Sequence, residues 1–269
     1  MAPIVTLLTD FGVESTYPAQ MKGVILGRCP EARIVDLSHG VPRHDVRTAA
    51  FMLASAVKAF PEGTVHVAVV DPGVGSSRPI LAAAVEGSLF IAPDNGLLTI
   101  ILGTEHEGRA GRRVEALVSV ENASLFRAEV SSTFHGRDVF APVAAELASG
   151  TPIGDLGPPV KEFRPFEVPA PKCEGGRVLG EVLYVDPFGN LVTNIPAGAL
   201  RSGSQDRTQT RIAGAVINGL SAAYSDVHAG MLLAYIGSAG FLEVAVNRQS
   251  AADRLGAGIG TRVSVKVGD

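Results

Sequence analysis

The stretch Pro-Ile-Val-Thr-Leu-Leu-Thr-Asp-Phe-Gly, residues 3–12, decides the fold, because a nearly unbroken apolar run stops at a carboxylate and a glycine. Such a run is typical of a central parallel strand that is covered on both faces. Similar runs alternate with helical patterns along the first half of the chain, which predicts crossover connections and a mostly parallel α/β sheet. Further strands are predicted at 32–37, 64–70, 80–85 and 89–92, and helices at 18–29, 46–60 and 138–149.

The pattern changes after residue 154, where closely spaced prolines predict that no regular element forms before residue 176. We interpret 157–175 as a linker between an α/β domain (1–156) and a second domain (176–269). In the second domain the apolar period shifts towards two, with glycine-rich turns and little helix, which predicts a small all-β, barrel-like domain. Its strands are predicted at 177–185, 191–195, 211–217, 231–236, 241–246 and 262–267.

Composition excludes several classes of protein. The formal net charge of the 269 residues is −4, which argues against a nucleic-acid partner. The longest apolar runs are far shorter than the roughly 20 residues of a membrane helix, and no signal-peptide pattern is visible. The two cysteines are too few for a disulfide scaffold and lack metal-ligand spacing. We expect a cytoplasmic protein with reduced thiols and no membrane partner.

Several predicted strands of the first domain end in acids, namely Asp10, Asp36, Asp71 and Asp94. One such carboxylate would ordinarily be a turn or cap residue, but several at one sheet edge favour a ligand site, because ligands of open α/β sheets bind outside the carboxyl ends of the strands. A metal site built from Asp10, Asp71 and Asp94 is an alternative. No G-x-G-x-x-G follows the first strand, and the glycine turn at 73–77 lacks the lysine of a P-loop.

Two further polar clusters stand out. Arg78 lies seven residues after Asp71 around that glycine turn, close enough to pair with it, and His135-Gly136-Arg137-Asp138 precedes a predicted helix, where a capping role is the alternative. The segment 186–190, Asp-Pro-Phe-Gly-Asn, is turn chemistry. Its aromatic ring, carboxylate and amide could also stack on and hydrogen-bond a purine.

In this order the motifs resemble those of the S-adenosylmethionine hydroxide adenosyltransferase family, which is related to adenosyl-fluoride and adenosyl-chloride synthases. The resemblance covers nearly the whole chain. The matching stretches are Thr9-Asp10-Phe11-Gly12, Ala19-Gln20-Met21-Lys22-Gly23, Asp71-Pro72-Gly73-Val74-Gly75 with Arg78, Pro93-Asp94-Asn95-Gly96-Leu97, Thr133 to Asp138, Asp186 to Asn190 with Thr193-Asn194, and Gly237-Ser238.

The resemblance implies S-adenosylmethionine as substrate, adenosine and L-methionine as products, and no cofactor or metal. It also implies a homotrimer whose active sites lie between the α/β domain of one subunit and the β domain of the next. The family's water-activating trio falls on Asp71, Arg78 and His135. The resemblance further implies ribose contacts for Asp10, adenosine contacts for Phe188 and Asn190, methionine contacts for Asp186 and Ser238, and a nucleoside pocket closed by Glu243 and the backbone of Val246.

The halide-using relatives carry a Tyr in place of Asp71, a Tyr-Ser pair in place of His135-Gly136, and an insertion that this chain lacks, so the resemblance favours the water-using branch. This chain differs from its relatives at two positions near the expected methionine end. Ser15 stands where relatives often have an Asp, and Ala239 stands where the fluoride-using enzyme has an Arg.

The chemistry fits the trio. A sulfonium departs as a neutral thioether without a general acid, and water must be oriented and deprotonated. Asp71 and His135 both remain possible proton acceptors at this point. Other functions also remain open: a non-catalytic sensor of S-adenosylmethionine or adenosine, a halide-using adenosyl transferase, and a nucleoside-processing hydrolase or metal-dependent enzyme that uses the Asp-rich strand ends.

Overall fold

The computed structural model describes residues 2–103, 113–200 and 208–266. The chain forms two units, Met1–Phe166 and Glu167–Asp269, and the division falls within the segment 157–175. None of the helices in the described ranges has the length and apolar character needed to cross a bilayer.

The first unit is built on a six-stranded sheet with the order β2-β1-β3-β5-β4-β6. The pairs β1–β2, β1–β3 and β3–β5 are parallel, and β4 runs antiparallel to both of its neighbours. The predicted mostly parallel sheet is therefore confirmed, with β6 as a strand that the sequence pattern did not indicate. The strands are β1 (Ile4–Thr9), β2 (Arg33–Ser38), β3 (Val65–Val69), β4 (Ile80–Val85), β5 (Ser88–Pro93) and β6 (Val114–Ser119).

Apolar clusters on both faces of this sheet explain the unbroken apolar run in β1. Leu7 packs in a cluster with Met21, while its neighbour Leu8 packs in a second cluster with Leu53 of α2. Successive side chains of a strand point to opposite faces, so both faces need apolar residues. The helices are α1 (Tyr17–Arg28), α2 (Val46–Val57), α3 (Thr99–Leu102) and α4 (Ala141–Ala148), and a π-helical turn (Gly136–Phe140) leads directly into α4.

The second unit is an antiparallel, nearly closed, barrel-like sheet with the order β11-β10-β14-β8-β9-β13-β12, and β7 pairs with β8. This confirms the predicted all-β domain. Its core contains Val182, Leu191, Val244 and Val263. Its elements are β7 (Lys172–Glu174), β8 (Arg177–Val185), β9 (Leu191–Pro196), β10 (Gln209–Ile212), β11 (Ala215–Asn218), β12 (Leu232–Ile236), β13 (Phe241–Val246), the short helix α5 (Ala251–Leu255) and β14 (Arg262–Lys266).

Two local predictions are wrong. The single strand predicted at 211–217 is a hairpin of β10 and β11, because Ala213 and Gly214 both have positive φ values (46° and 80°) and form its two-residue turn. The segment 157–175 is not free of regular structure, because β7 forms just after its last proline, Pro171, and pairs with the start of β8. Val267, the last residue of the predicted final strand, lies outside the described residues.

Candidate active site

A cleft of about 300 Å³ lies in the first unit, where residues that follow β1 and β3 meet the segment before α4. Its position agrees with the rule that ligands bind outside the carboxyl ends of parallel strands. The lining residues are Asp10, Phe11, Tyr17, Arg43, His44, Val69, Asp71, Val74, Thr133, Phe134, His135 and Gly136. The cleft thus brings together Asp10, Asp71 and His135, which are widely separated along the chain.

Asp71, Arg78 and His135 form one hydrogen-bonded group. Arg78 Nε donates to Asp71 Oδ1 (2.8 Å), and Arg78 Nη2 donates to Asp71 Oδ2, so the ion pair is bidentate. Both side chains are almost fully buried. Arg78 Nη2 also lies 3.3 Å from His135 Nδ1. The predicted pairing of Asp71 with Arg78 across the glycine turn is therefore present, and His135 joins it.

The state of the His135 ring follows from these contacts. Burial and the positive charge of Arg78 lower the pKa of His135 below its usual 6.5, and the carboxylates of Asp71 and Asp138 oppose that shift. His135 is therefore neutral at pH 7. Because a guanidinium only donates hydrogen bonds, Nδ1 is the acceptor and the ring proton sits on Nε2.

Close backbone contact holds the two loops of this group together. Gly75 has φ +77°, and a Cβ atom at this position would overlap the carbonyl oxygen of Ser132. Only glycine tolerates both the left-handed backbone and this close approach. The loop that carries Asp71 and Arg78 is thereby packed directly against the segment that carries His135.

Asp138 anchors the segment on the other side of His135. Its carboxylate is fully buried and accepts hydrogen bonds from Ser131 N (2.9 Å), Arg127 Nη1 (2.9 Å) and Arg137 Nε (2.6 Å). The hydrogen bond from Arg137 and the other donors hold the pKa of Asp138 at about 2. Arg137 also donates to Gln20 Oε1 on α1 (3.1 Å). The carboxylate ties both ends of the segment 131–138 together.

Asp10 is held by backbone and by its neighbours. Its Oδ2 accepts a hydrogen bond from His44 N (2.9 Å), and His44 has an unusual positive φ of 65°. The preceding Thr9 is buried, and its hydroxyl lies 2.9 Å from His39 Nδ1. His39 Nε2 in turn lies 3.0 Å from Asp36 Oδ1. Asp36 therefore supports the loop beside Asp10, and it does not line the cleft.

In the second unit, Asp186 organises the turn at 186–190. Its Oδ1 accepts from the backbone N–H groups of Phe188 and Asn190 (2.8 Å each), and its Oδ2 accepts from Asn190 Nδ2 (2.7 Å). This confirms the turn chemistry expected from the sequence. The Phe188 ring is 79% exposed, whereas Asn190 is buried. An exposed aromatic ring beside a fixed amide offers a flat surface on which a base can stack.

The remaining residues predicted in this unit lie on β13 and in the turn that precedes it. Glu243, on β13, is buried and accepts a hydrogen bond from Tyr235, on β12. Ser238 is exposed in the turn between these strands. Val246 is buried, and its carbonyl accepts from Gln249 N (3.1 Å).

No group of three or more His, Cys, Asp or Glu residues among the described ranges has the arrangement of a metal site. The alternative site of Asp10, Asp71 and Asp94 is thus not assembled in these ranges, and Asp94 accepts a hydrogen bond from Arg164 N (2.7 Å).

Family models decide the ancestry of the chain. The model of the SAM hydroxide adenosyltransferase N-terminal domain matches residues 5–157, and that of the C-terminal domain matches residues 180–264. The chain belongs to this family. The resemblance seen in the sequence motifs is thereby confirmed.

Individual proteins are similar to this chain over nearly its full length. A protein of Salinispora tropica named (R)-S-adenosyl-L-methionine hydrolase is 38% identical over 99% of this chain and 98% of its own length. A fluorinase of Actinoplanes is 32% identical over 91% of both chains. The crystal structure of an uncharacterized conserved protein from Thermotoga maritima is 37% identical, with a TM-score of 0.88 over 97% of this chain and 99% of that one.

Sequence reasoning missed several residues of these clusters. Tyr224 and Tyr235 carry no motif, and their partners lie up to 34 residues away. His44 and Tyr17 line the cleft. His44 stands beside Asp45, which caps α2 through Thr48 N (2.9 Å), so the local sequence signals a helix start and hides the contact of His44 with Asp10.

Proposed function

We propose that this protein hydrolyses S-adenosylmethionine to adenosine and L-methionine, by in-line attack of a water molecule on C5′. The observation that carries the proposal is the hydrogen-bonded group of Asp71, Arg78 and His135, with its ion pair buried, at a cleft that also contains Asp10. The names of the full-length relatives support it. The halide-using branch is disfavoured, because this chain keeps Asp71 and His135.

The geometry suggests a role for each member of the group. Among the described residues, Asp71 Oδ1 receives two donors, Arg78 Nε and Gly73 N (3.2 Å), whereas Oδ2 receives Arg78 alone and keeps a lone pair for a water proton. His135 presents its Nε2–H as a donor that orients the water oxygen. We therefore assign proton acceptance to Asp71 and orientation of the water to His135 and Arg78.

The step balances without another reactant. The water oxygen forms the new bond to C5′, the C5′–S bond breaks, and its electron pair neutralises the sulfonium. One water proton passes to Asp71 and then to solvent. Attack by a hydroxide-like species on a cation destroys charge, so a cleft that excludes water favours the transition state. No metal or cofactor has a part in this proposal.

Substrate binding is assigned to the remaining residues. Asp10 would accept hydrogen bonds from the ribose hydroxyls, and Phe188 would stack on the adenine. These roles were implied by the family resemblance and fit the exposure and contacts of the side chains. The full set proposed for binding is Asp10, Asp186, Phe188, Asn190, Ser238, Glu243 and Val246.

Labelled water tests the reaction directly. Incubation with S-adenosylmethionine in H₂¹⁸O should place the label on the 5′-oxygen of adenosine, because the attacking atom comes from solvent. Mass spectrometry of the adenosine measures this. A chelator should leave the rate unchanged. Loss of activity with chelator, or the absence of adenosine, would contradict the proposal.

We further propose a cytoplasmic homotrimer whose active site combines the first unit of one subunit with the second unit of its neighbour. The proposal follows the family resemblance, and the exposed ring of Phe188 supports a role at a shared site. Multi-angle light scattering should give three times the chain mass of 27.8 kDa. An active, monodisperse monomer would rule out the shared site.

A further inference from the structure

An unbroken chain of hydrogen bonds runs through the second unit and ends on a carboxylate at each end. Asn190 Nδ2 donates to Asp186 Oδ2 (2.7 Å) and to the Tyr224 hydroxyl (3.0 Å). The Tyr224 and Tyr235 hydroxyls lie 2.8 Å apart, and Tyr235 donates to Glu243 Oε2. None of the family motifs in the sequence includes either tyrosine.

The positions of the protons in this chain of hydrogen bonds follow from the carboxylates at its two ends. A carboxylate can only accept, so Tyr235 must give its proton to Glu243. Tyr235 then accepts from Tyr224, and Tyr224 accepts from Asn190. Both N–H groups of Asn190 are thereby used, one directly by Asp186 and one through the two tyrosines by Glu243.

The surroundings keep Tyr235 protonated. Burial raises the pKa of Tyr235 far above its usual 10, and the hydrogen bond to Glu243 adds to the shift, so Tyr235 stays protonated. Gly237 makes room for Glu243, because a Cβ atom at residue 237 would overlap the carboxylate. Within the described residues, the hydrogen bonds of the Asn190 amide are both made by its Nδ2, and its Oδ1 accepts none. The oxygen is the only polar atom of this amide left for a ligand.

We propose that Tyr224 and Tyr235 are positioning residues, which hold the amide of Asn190 with its oxygen towards the nucleoside. The pocket then favours a base with an amino group at the contacted position over a base with a carbonyl oxygen there. This inference rests on the proposed function for the identity of the nucleoside. A carbonyl oxygen facing Asn190 Oδ1 would leave two acceptors opposed, and such a mismatch costs more than a missing hydrogen bond.

The test compares adenosine with inosine, which replaces the 6-amino group by a carbonyl oxygen. Calorimetry on the full-length protein should show adenosine binding more tightly, and Tyr235→Phe should reduce the ratio of the two affinities by about tenfold, the equivalent of one hydrogen bond. Glu243→Gln should reduce the ratio similarly, because an amide can donate as well as accept and no longer imposes the direction. In turnover assays the KM for S-adenosylmethionine should rise more than kcat falls.

Thr210→Val is the matched control. The Thr210 hydroxyl is also buried in the second unit but has no hydrogen-bond partner among the described residues, so its removal should leave both nucleoside affinities unchanged. If folded Tyr235→Phe and Glu243→Gln turn over S-adenosylmethionine and keep the affinity ratio of the wild type, the inference is wrong. The proposed function would still stand. Adenosine binding without turnover would overturn the proposed function, while the affinity ratios would still decide the inference. If Tyr235→Phe does not fold, Tyr224→Phe takes its place, because it removes the acceptor of the second Asn190 N–H group.

Discussion

Asp71→Asn is expected to lower the turnover of S-adenosylmethionine by on the order of 10²-fold or more, the usual range for a lost acid–base group. The amide has the size of the carboxylate but cannot take a proton from water. It also presents an N–H group to Arg78, which only donates, so the bidentate pair is lost. Single-turnover rates with saturating substrate measure the effect on the chemical step.

Binding should respond differently from chemistry. Asp71→Asn should change substrate affinity little, whereas Asp10→Ala should weaken it by about 1–3 kcal/mol through lost hydrogen bonds to the ribose. Calorimetric affinities of the two variants separate these effects, and thermal melting checks that both fold. Normal turnover by Asp71→Asn would show that the trio is structural and that another group activates the water.

The pH dependence of turnover tests the state of His135 in the same enzyme. The neutral ring is needed, because a protonated Nδ1 could not accept from Arg78. Since burial and Arg78 lower the pKa of His135, turnover should persist below pH 6.5 and fall only as the pH drops through that lowered value.

The sheet could be predicted because its central strands are covered on both faces. Strands such as β1, β3 and β4 are so apolar that only a buried sheet accommodates them, and the acids that follow β1 and β3, Asp10 and Asp71, mark its functional edge. The sequence was less informative where local chemistry is ambiguous. Residues 211–217 contain a turn of Ala213 and Gly214, and alanine seldom signals a positive φ, so the sequence pattern predicts one strand instead of a hairpin.

The site could be predicted in part, for a related reason. Asp71 and Arg78 share one glycine turn, so their pairing follows from seven residues of sequence. The contact of Arg78 with His135 spans 57 residues and depends on how two loops pack, which no local pattern encodes. The grouping of His135 with Asp71 and Arg78 could be predicted only from the resemblance of the ordered motifs to a known family. The hydrogen bonds through Tyr224 and Tyr235 are marked neither by a local sequence pattern nor by a family motif.

Asp138→Asn should lower the free energy of unfolding by about 2 kcal/mol at pH 7. The pKa of Asp138 falls from 3.8 to about 2 in the folded protein, and each unit of that shift corresponds to about 1.4 kcal/mol. This contribution is complete above the unfolded pKa and disappears as the pH falls from about 4 through about 2. The stabilities of variant and wild type, measured by urea unfolding, should therefore converge on acidification.

The exposed carboxylate of Asp155 provides the control, since Asp155→Asn removes a charge of the same sign that makes no side-chain hydrogen bond in the described structure. Its urea unfolding curve should match that of the wild type both at pH 7 and after acidification. Because Asp138 ties Ser131 and Arg127 to Arg137, its replacement should also loosen the segment that presents His135 and reduce kcat. An Asp138→Asn protein with unchanged stability at pH 7 would show that the buried carboxylate does not anchor that segment, and His135 would then owe its position to other contacts, such as those of Gly75 with Ser132 and of Arg78 with His135.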